Sequence, residues 1–339
     1  MNELRATQPP SYLNEALSAF GAVIDDPTLV EVCINPNGTV WVEKQGESHM
    51  IQADRRLFSN ELNDLARRIA GAANETLGKA RPLVAASITY KGRPIRAQVI
   101  SQPAVSHGSA ISLRFFSSLS LDEIELQFLH GAEYRVDDER RRRNTELRKL
   151  VRGADLETAL RFCVQEKLNI ILAGGTSTGK TVMLRKMLSF VPSSERIVTI
   201  EEAAELHPPQ PNVVSLMASR EERVRTPDEL LTASLRLRPD RLIVGEVRGK
   251  EAMTFLEAIN TGHGGSMTTL HAETPQLALA RLAIAGLKAQ LPMTYQDMMS
   301  YIEGSIDVII QTGRHDGRRG VAEFYLPGQE SSKGSDTHG

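Results

Sequence analysis

Eight consecutive residues restrict what this chain can fold into more than any others: Gly174-Gly175-Thr176-Ser177-Thr178-Gly179-Lys180-Thr181. They satisfy G-x-x-x-x-G-K-[ST] at every fixed position. An apolar run, Ile170-Ile171-Leu172-Ala173, leads into them, and an amphipathic run, Val182-Met183-Leu184 then Met187-Leu188, leaves them. That order predicts strand, glycine loop, helix start. The glycines let backbone N–H groups turn inward around phosphate oxygens. The helix that follows points its positive end at the same oxygens. Lys180 can neutralise the β- and γ-phosphates, and the Thr181 hydroxyl can hold Mg²⁺. A chance glycine-rich turn would not need the flanking strand and helix signals.

A phosphate loop alone implies only binding. Hydrolysis also needs acids at the far side of the γ-phosphate. Two acidic clusters end strand-like runs: Glu201-Glu202 after Ile197-Val198-Thr199-Ile200, and Glu246 after Leu242-Ile243-Val244-Gly245. In parallel α/β sheets the carboxyl ends of the strands line the ligand crevice, so both clusters are expected to face the loop. Either cluster alone would read equally well as a surface acid. Gly245 stands where an aspartate is common, which favours Glu246 acting through water. Downstream, Thr261-Gly262-His263-Gly264-Gly265-Ser266-Met267-Thr268-Thr269-Leu270-His271 crowds two histidines and several hydroxyls around a strand. A neutral imidazole there can hydrogen-bond a phosphate or a carboxylate.

The rest of the chain organises around this centre. Residues 1–117 read as an α+β domain. Leu13, Ala16, Leu17 and Phe20 predict an opening helix, Asn35-Pro36-Asn37-Gly38 a hairpin turn, and Leu62, Leu65, Ala66 and Ile69 a second helix. Ile88–Ile100 and Ala110–Phe116 read as further strands. A polar joint is expected over 118–153. It holds the capping-box spacing Ser120-Leu121-Asp122-Glu123 and the run Asp137-Asp138-Glu139-Arg140-Arg141-Arg142-Arg143. The four arginines could bind phosphate lipid or nucleic acid, but a solvated face with the preceding acids as partners is the simpler reading.

Residues 154–330 alternate strands and helices, which implies a largely parallel sheet. The strands are expected at Asn169–Ala173, Arg196–Ile200, Arg241–Val244, Ser266–Leu270 and Asp307–Gln311. Thr226-Pro227-Asp228-Glu229 and Thr274-Pro275 mark helix starts. Residues 331–339 are polar and expected to be disordered. A net charge of −2 gives no global pull towards nucleic acid or anionic membrane. Cys33 and Cys163 lie far apart, outside any C-x-x-C, so neither a zinc site nor a disulfide is signalled. No apolar stretch approaches the ~20 residues that span a bilayer, and Met1–Arg5 lacks a signal peptide's apolar segment, so a cytoplasmic protein is expected.

These elements together resemble the hexameric secretion ATPases of type II and type IV systems and the pilus motors. The match runs from about Val30 to Tyr325. It follows the family order: phosphate loop, acidic box (Thr199–Leu206), Gly-Glu box (Val244–Gly249) and histidine box (Gly262–Ala272). The compact N-terminal domain, with Glu31-Val32-Cys33-Ile34-Asn35, and the lack of a four-cysteine module make the chain most similar to the type IV secretion and conjugation branch.

The resemblance implies a RecA-like ATPase domain at the C-terminus with a smaller α+β domain before it. It implies ATP and Mg²⁺ as cofactors, with the nucleotide bound between the domains. Glu201 matches the water-activating glutamate and Glu246 the glutamate that helps order Mg²⁺, though either could be the base. Thr181, Glu246 and Glu202 become the metal-side residues, with Glu202 replacing the family's aspartate. Lys180 keeps its phosphate role. His263 and His271 match the box that couples nucleotide state to movement. Arg96 and, less closely, Arg114 match arginines sent onto the nucleotide, with Arg93 the rival of Arg96. The implied partners are five further copies of the chain and the channel and inner-membrane subunits of the apparatus. Membrane contact is expected to be peripheral, and nucleic acid to be met only as cargo. Two other classes remain open on sequence alone: a nucleic-acid motor, resting on Arg140–Arg143, and an assembly subunit that binds ATP without hydrolysing it.

Overall fold

The computed structural model describes residues 12–116, 122 and 126–328. The chain divides into two compact units. The first runs to residue 120 and takes in Arg236–Arg238; the second holds the rest.

The first unit opens with α1 (Tyr12–Ser18) and α2 (Ala22–Asp25). Strands β1 (Leu29–Ile34), β2 (Thr39–Lys44) and β3 (Ile51–Arg56) follow, then α3 (Ser59–Ala72) and strands β4 (Leu83–Tyr90), β5 (Arg93–Ser101) and β6 (Ser109–Phe115). The six strands form one antiparallel sheet in the order β3-β2-β1-β6-β5-β4. Helix α3 lays Leu62, Leu65 and Ile69 onto one face, where Val99, Ile111 and Leu113 are buried. The helical spacing of its apolar residues is therefore the reason it packs. The expected hairpin forms at β1–β2, with Gly38 at φ 84° and in a place where a Cβ would collide with Leu57 O.

The second unit begins with α4 (Val136–Arg152) and α5 (Leu156–Gln165). Residues 136–152 of the expected joint are thus a helix of this unit, with Leu147 buried in its core. The arginine run stands on that helix with its charges engaged. Arg141 reaches Asp138 at 2.6 Å, Arg142 reaches Glu139 at 3.0 Å, Arg140 donates to Glu303 O and Gly304 O, and Arg143 to Glu166 O. The acids preceding the run pair at i,i+3, a spacing that the helix brings onto one face. The helix start expected at Ser120–Glu123 falls outside the described residues except for Asp122, as does the tail from 331.

The remaining elements are β7 (Ile170–Gly174), α6 (Lys180–Leu188), β8 (Ile197–Glu201), β9 (Val213–Met217), α7 (Pro227–Ser234), β10 (Arg241–Val244), α8 (Glu251–Asn260), β11 (Met267–His271), α9 (Pro275–Leu287), α10 (Tyr295–Ser305), β12 (Val308–His315) and β13 (Arg318–Tyr325). The sheet order is β13-β12-β7-β11-β10-β8-β9, parallel except for the β12–β13 hairpin. Strands β7, β8 and β10 are buried along their whole length, as expected where helices cover both faces. Strands β9 and β13 are not among the strands expected from the sequence. Both are edge strands, and β13 opens on exposed Arg318-Arg319-Gly320, so neither carries a continuous apolar run.

No disulfide links Cys33 and Cys163. Cys163 lies wholly inside the second core, and burial pushes its thiol up to about 12. Folded protein at about pH 8 should therefore leave Cys163 unalkylated by iodoacetamide, as read by peptide mass spectrometry. Rapid labelling without unfolding would contradict that environment.

Candidate functional site

Strand β7 delivers the chain to Gly174 in the middle of the parallel sheet. A Cβ at Gly174 would lie 2.5 Å from Thr178 Oγ1 and would overlap Thr312 Oγ1, so no side chain fits there. The loop then rises through Ser177 (φ 59°) and Gly179 (φ 96°), a left-handed pair that turns the chain into α6 at Lys180. Thr178 Oγ1 donates back to Gly175 O at 3.0 Å, closing the loop on itself. Lys180 Nζ lies over the loop, donating to Gly174 O at 2.9 Å and Gly175 O at 2.8 Å. Burial pushes this ammonium below the ordinary lysine range, while the charges of Glu246 and Glu273 oppose the shift.

Parallel pairing brings the ends of β8, β10 and β11 beside this loop. A cavity of about 380 Å³ opens there, lined among others by Lys180, Thr181, Glu201, Glu202, Glu246 and His271. His271 Nδ1 sits 3.4 Å from Lys180 Nζ, and its Nε2 lies 3.5 Å from Glu246 Oε1. Burial lowers the imidazole's pKa against the pull of Glu246, with Lys180 adding to the lowering, which favours the uncharged ring. Burial would raise the Glu246 carboxyl. The hydrogen bond and charge of Arg248, helped by His271 and Lys180, outweigh it and hold the group below the usual carboxylate range.

The two glutamates are differently placed. Glu201 is buried, and its Oε1 accepts from the backbone N–H groups of Glu205 and Leu206, both at 3.0 Å, while Oε2 takes the Thr199 hydroxyl at 3.2 Å. It fixes the loop after β8 as well as facing the cavity. Glu246 has one oxygen on Arg248 and the other towards His271. Glu202 is held by Arg220 at 2.6 Å. Arg220 also reaches Glu251, whose Oε1 accepts from Arg248 N and Gly249 N. One guanidinium therefore ties the acidic box to the loop that carries Glu246.

Not every residue expected from sequence reaches this place. Gly174 to Thr181, Glu201, Glu202, Glu246 and His271 converge. His263 does not: it precedes β11, while His271 ends it. Four strand steps of about 3.3 Å put the two ends of β11 roughly 13 Å apart. His263 Nδ1 instead lies 3.2 Å from Pro239 O, at the opposite end of the sheet. The reason is that a strand separates the two histidines, so they cannot share one end of it.

Arg96 and Arg114 stand in the first unit, directly opposite one another on β5 and β6, and both are exposed. Arg93 is bound to the backbone at Asp26 O and Leu29 O, which leaves Arg96 as the outward-facing arginine of β5. Three residues unforeseen from sequence border the loop. They are Thr312, whose hydroxyl is 2.7 Å from that of Thr178; Glu273, against Gly175; and Arg319, in the cavity wall beside Gly179. Nothing local to these residues marks them. Among the described residues no group of three or more histidine, cysteine or acidic side chains could hold a metal unaided. Mg²⁺ needs no such group when phosphate and water oxygens complete its shell. The all-oxygen set of Thr181, Glu246 and Glu202 in one cavity wall fits that ion.

The family described as Type II/IV secretion system protein matches residues 87–315. The type IV secretion system protein VirB11 of Bartonella quintana (strain Toulouse) is 30% identical over 330 residues, covering 92% of this chain and 91% of that protein. VirB11 of Brucella suis biovar 1 (strain 1330) is 30% identical over 334 residues, covering 94% and 91%. Among solved structures, the VirB11 ATPase of the Brucella suis type IV secretion system, crystallised with sulphate, superposes with a TM-score of 0.78. It is 27% identical, covering 93% of this chain and 97% of that one.

Proposed function

The chain belongs to the type II/IV secretion system protein family, in its type IV secretion ATPase branch, and on that premise we propose that it is an Mg²⁺-dependent ATP-hydrolysing motor for secretion or conjugation. The observation that carries this reading is the convergence of the phosphate loop, Glu201, Glu246 and His271 on one cavity at the carboxyl ends of parallel strands. Lys180 and the N-terminus of α6 hold the phosphates. Glu246 orients water for attack on the γ-phosphate, and Glu201 fixes the wall behind it. His271, touching both Lys180 and Glu246, links phosphate binding to the acid. Thr181, Glu246 and Glu202 are the residues that would hold Mg²⁺, which when bound neutralises charge on the β- and γ-phosphates.

Arg96 and Arg114 would also serve the nucleotide. The two exposed like charges stand directly opposite on neighbouring strands and repel, with Arg114 also opposite Glu31 on β1 and Arg96 over the Phe116 ring, and a bound anion would relieve that repulsion. ATP held by both units, and released after hydrolysis, would drive the rocking of one against the other. The working form is a ring of six identical subunits at the cytoplasmic face of the inner membrane, in contact with channel subunits. Among the described residues no helix is long and apolar enough to cross a membrane.

The test is phosphate release by the purified chain, together with its mass in solution with and without an ATP analogue. Release is expected to stop on chelation with EDTA and return with added Mg²⁺. The mass is expected to correspond to a closed ring. EDTA-resistant turnover would exclude the metal's role, and no turnover by an intact ring would exclude the motor.

A further inference from the structure

The β12–β13 hairpin does more than close the sheet. From Val308 to Gln311, β12 runs in parallel register with β7. At Gln311/Thr312 the pairing with β13 shifts by a bulge. Bulges beside active sites re-aim the side chains that follow. Here the shift comes where the hairpin passes the phosphate loop. Thr312 is buried, and its Oγ1 donates to Ala173 O at 3.0 Å while sitting 2.7 Å from Thr178 Oγ1. Past that fastening, Arg319 lies opposite Arg314 and places its stem against Gly179: a Cβ there would be 3.8 Å from Arg319 Cβ and Cδ. Arg319 also lines the cavity.

The charges of the wall decide what that arginine is for. The cavity is bordered by three cations, Lys180, Arg248 and Arg319, and by four glutamates. Lys180 is engaged by loop carbonyls and Arg248 by Glu246. Beyond the backbone pairing with Arg314, the exposed Arg319 side chain has no hydrogen bond or ion pair with a described residue. An exposed guanidinium beside the first turn of a phosphate-loop helix offers several donors in a fixed fork to phosphate oxygens.

We propose that Arg319, carried by the bulged β12–β13 hairpin, is a polyphosphate-binding residue of the nucleotide site, supplied by the same subunit as the phosphate loop. The assignment rests on the nucleotide-site reading above. Arg319 grips the phosphates from beside Gly179, and Thr312 is the positioning residue that keeps hairpin and loop in register.

The experiment is titration of full-length protein with a fluorescent N-methylanthraniloyl-ADP, alongside steady-state ATP kinetics. Arg319→Ala is expected to weaken ADP binding and raise KM for ATP by about tenfold, with kcat within a factor of about two. Arg319→Lys should recover part of the loss. Arg314→Ala, on the same hairpin but outside the cavity wall, should bind as wild type. Unchanged affinity in Arg319→Ala overturns the proposal, as does an equal loss in Arg314→Ala, which would mean only a diffuse basic field. If wild type itself binds no ADP, the nucleotide-site reading fails instead.

Discussion

Glu246→Gln is expected to cut phosphate release by about 10²–10³-fold while ATP still binds. The loss corresponds to about 3–4 kcal/mol of transition-state stabilisation. Glutamine keeps the size of the side chain but removes the negative charge facing His271 and the cavity. It also releases Arg248 from its carboxylate partner. Lys180→Ala should behave differently, losing binding as well as turnover, because Lys180 spans the loop carbonyls and the phosphate side of the cavity.

Glu201→Gln separates the roles of the two acids. Its amide oxygen can still accept from the Glu205 and Leu206 N–H groups, and its amide nitrogen can face the Thr199 hydroxyl. The wall therefore survives, and the loss is expected to be nearer tenfold. ATP binding and turnover measured on the same preparations check the set. If Glu201→Gln were dead while Glu246→Gln still turned over, the water-orienting role would pass to Glu201.

Gly174→Ala should abolish nucleotide binding and lower the stability of the second unit by about 3 kcal/mol. The new methyl would meet the hydroxyls of Thr312 and Thr178 and the carbonyl oxygen of Thr312 at 2.8 Å. None of these atoms is the end of a flexible chain. Thr312 is fastened to Ala173 O, and β12 is paired along β7. Gly179→Ala is the informative contrast. Its left-handed φ of 96° imposes backbone strain of about 1–2 kcal/mol, but the methyl would meet only Arg319 carbons at 3.8 Å. Thermal denaturation and ADP titration should rank Gly174→Ala as the more damaging. The reverse order would mean that the loop moves away from β12 without cost.

Much of this molecule is legible along the chain because its signals are local. The run Ile170–Ala173 followed by a glycine loop announces a buried strand ending in a phosphate cradle, and β7 and α6 are placed accordingly. The acids at the ends of β8 and β10 could be brought to that cradle by one rule, that parallel strands share an end. The same rule, applied to strand direction, shows why His271 arrives and His263 does not. The arginine run invites a linker reading because charge dominates its composition. Leu147, one apolar residue a turn further on, anchors the helix in the core.

What the sequence by itself determined is the strand–loop–helix, the acids that accompany it, and the alternation that makes the second sheet parallel. These follow from periodicity and spacing over a few residues, where one residue type in one place has one physical use. What only the tertiary structure decided is which distant side chains complete the site: Thr312 on Thr178, 134 positions away, Arg220 across Glu202 and Glu251, and Arg319 beside Gly179. Their positions depend on strand order, register and a single bulge. These are long-range properties that no local pattern encodes, because a threonine or arginine on an edge hairpin reads the same whether or not a phosphate loop lies beneath it.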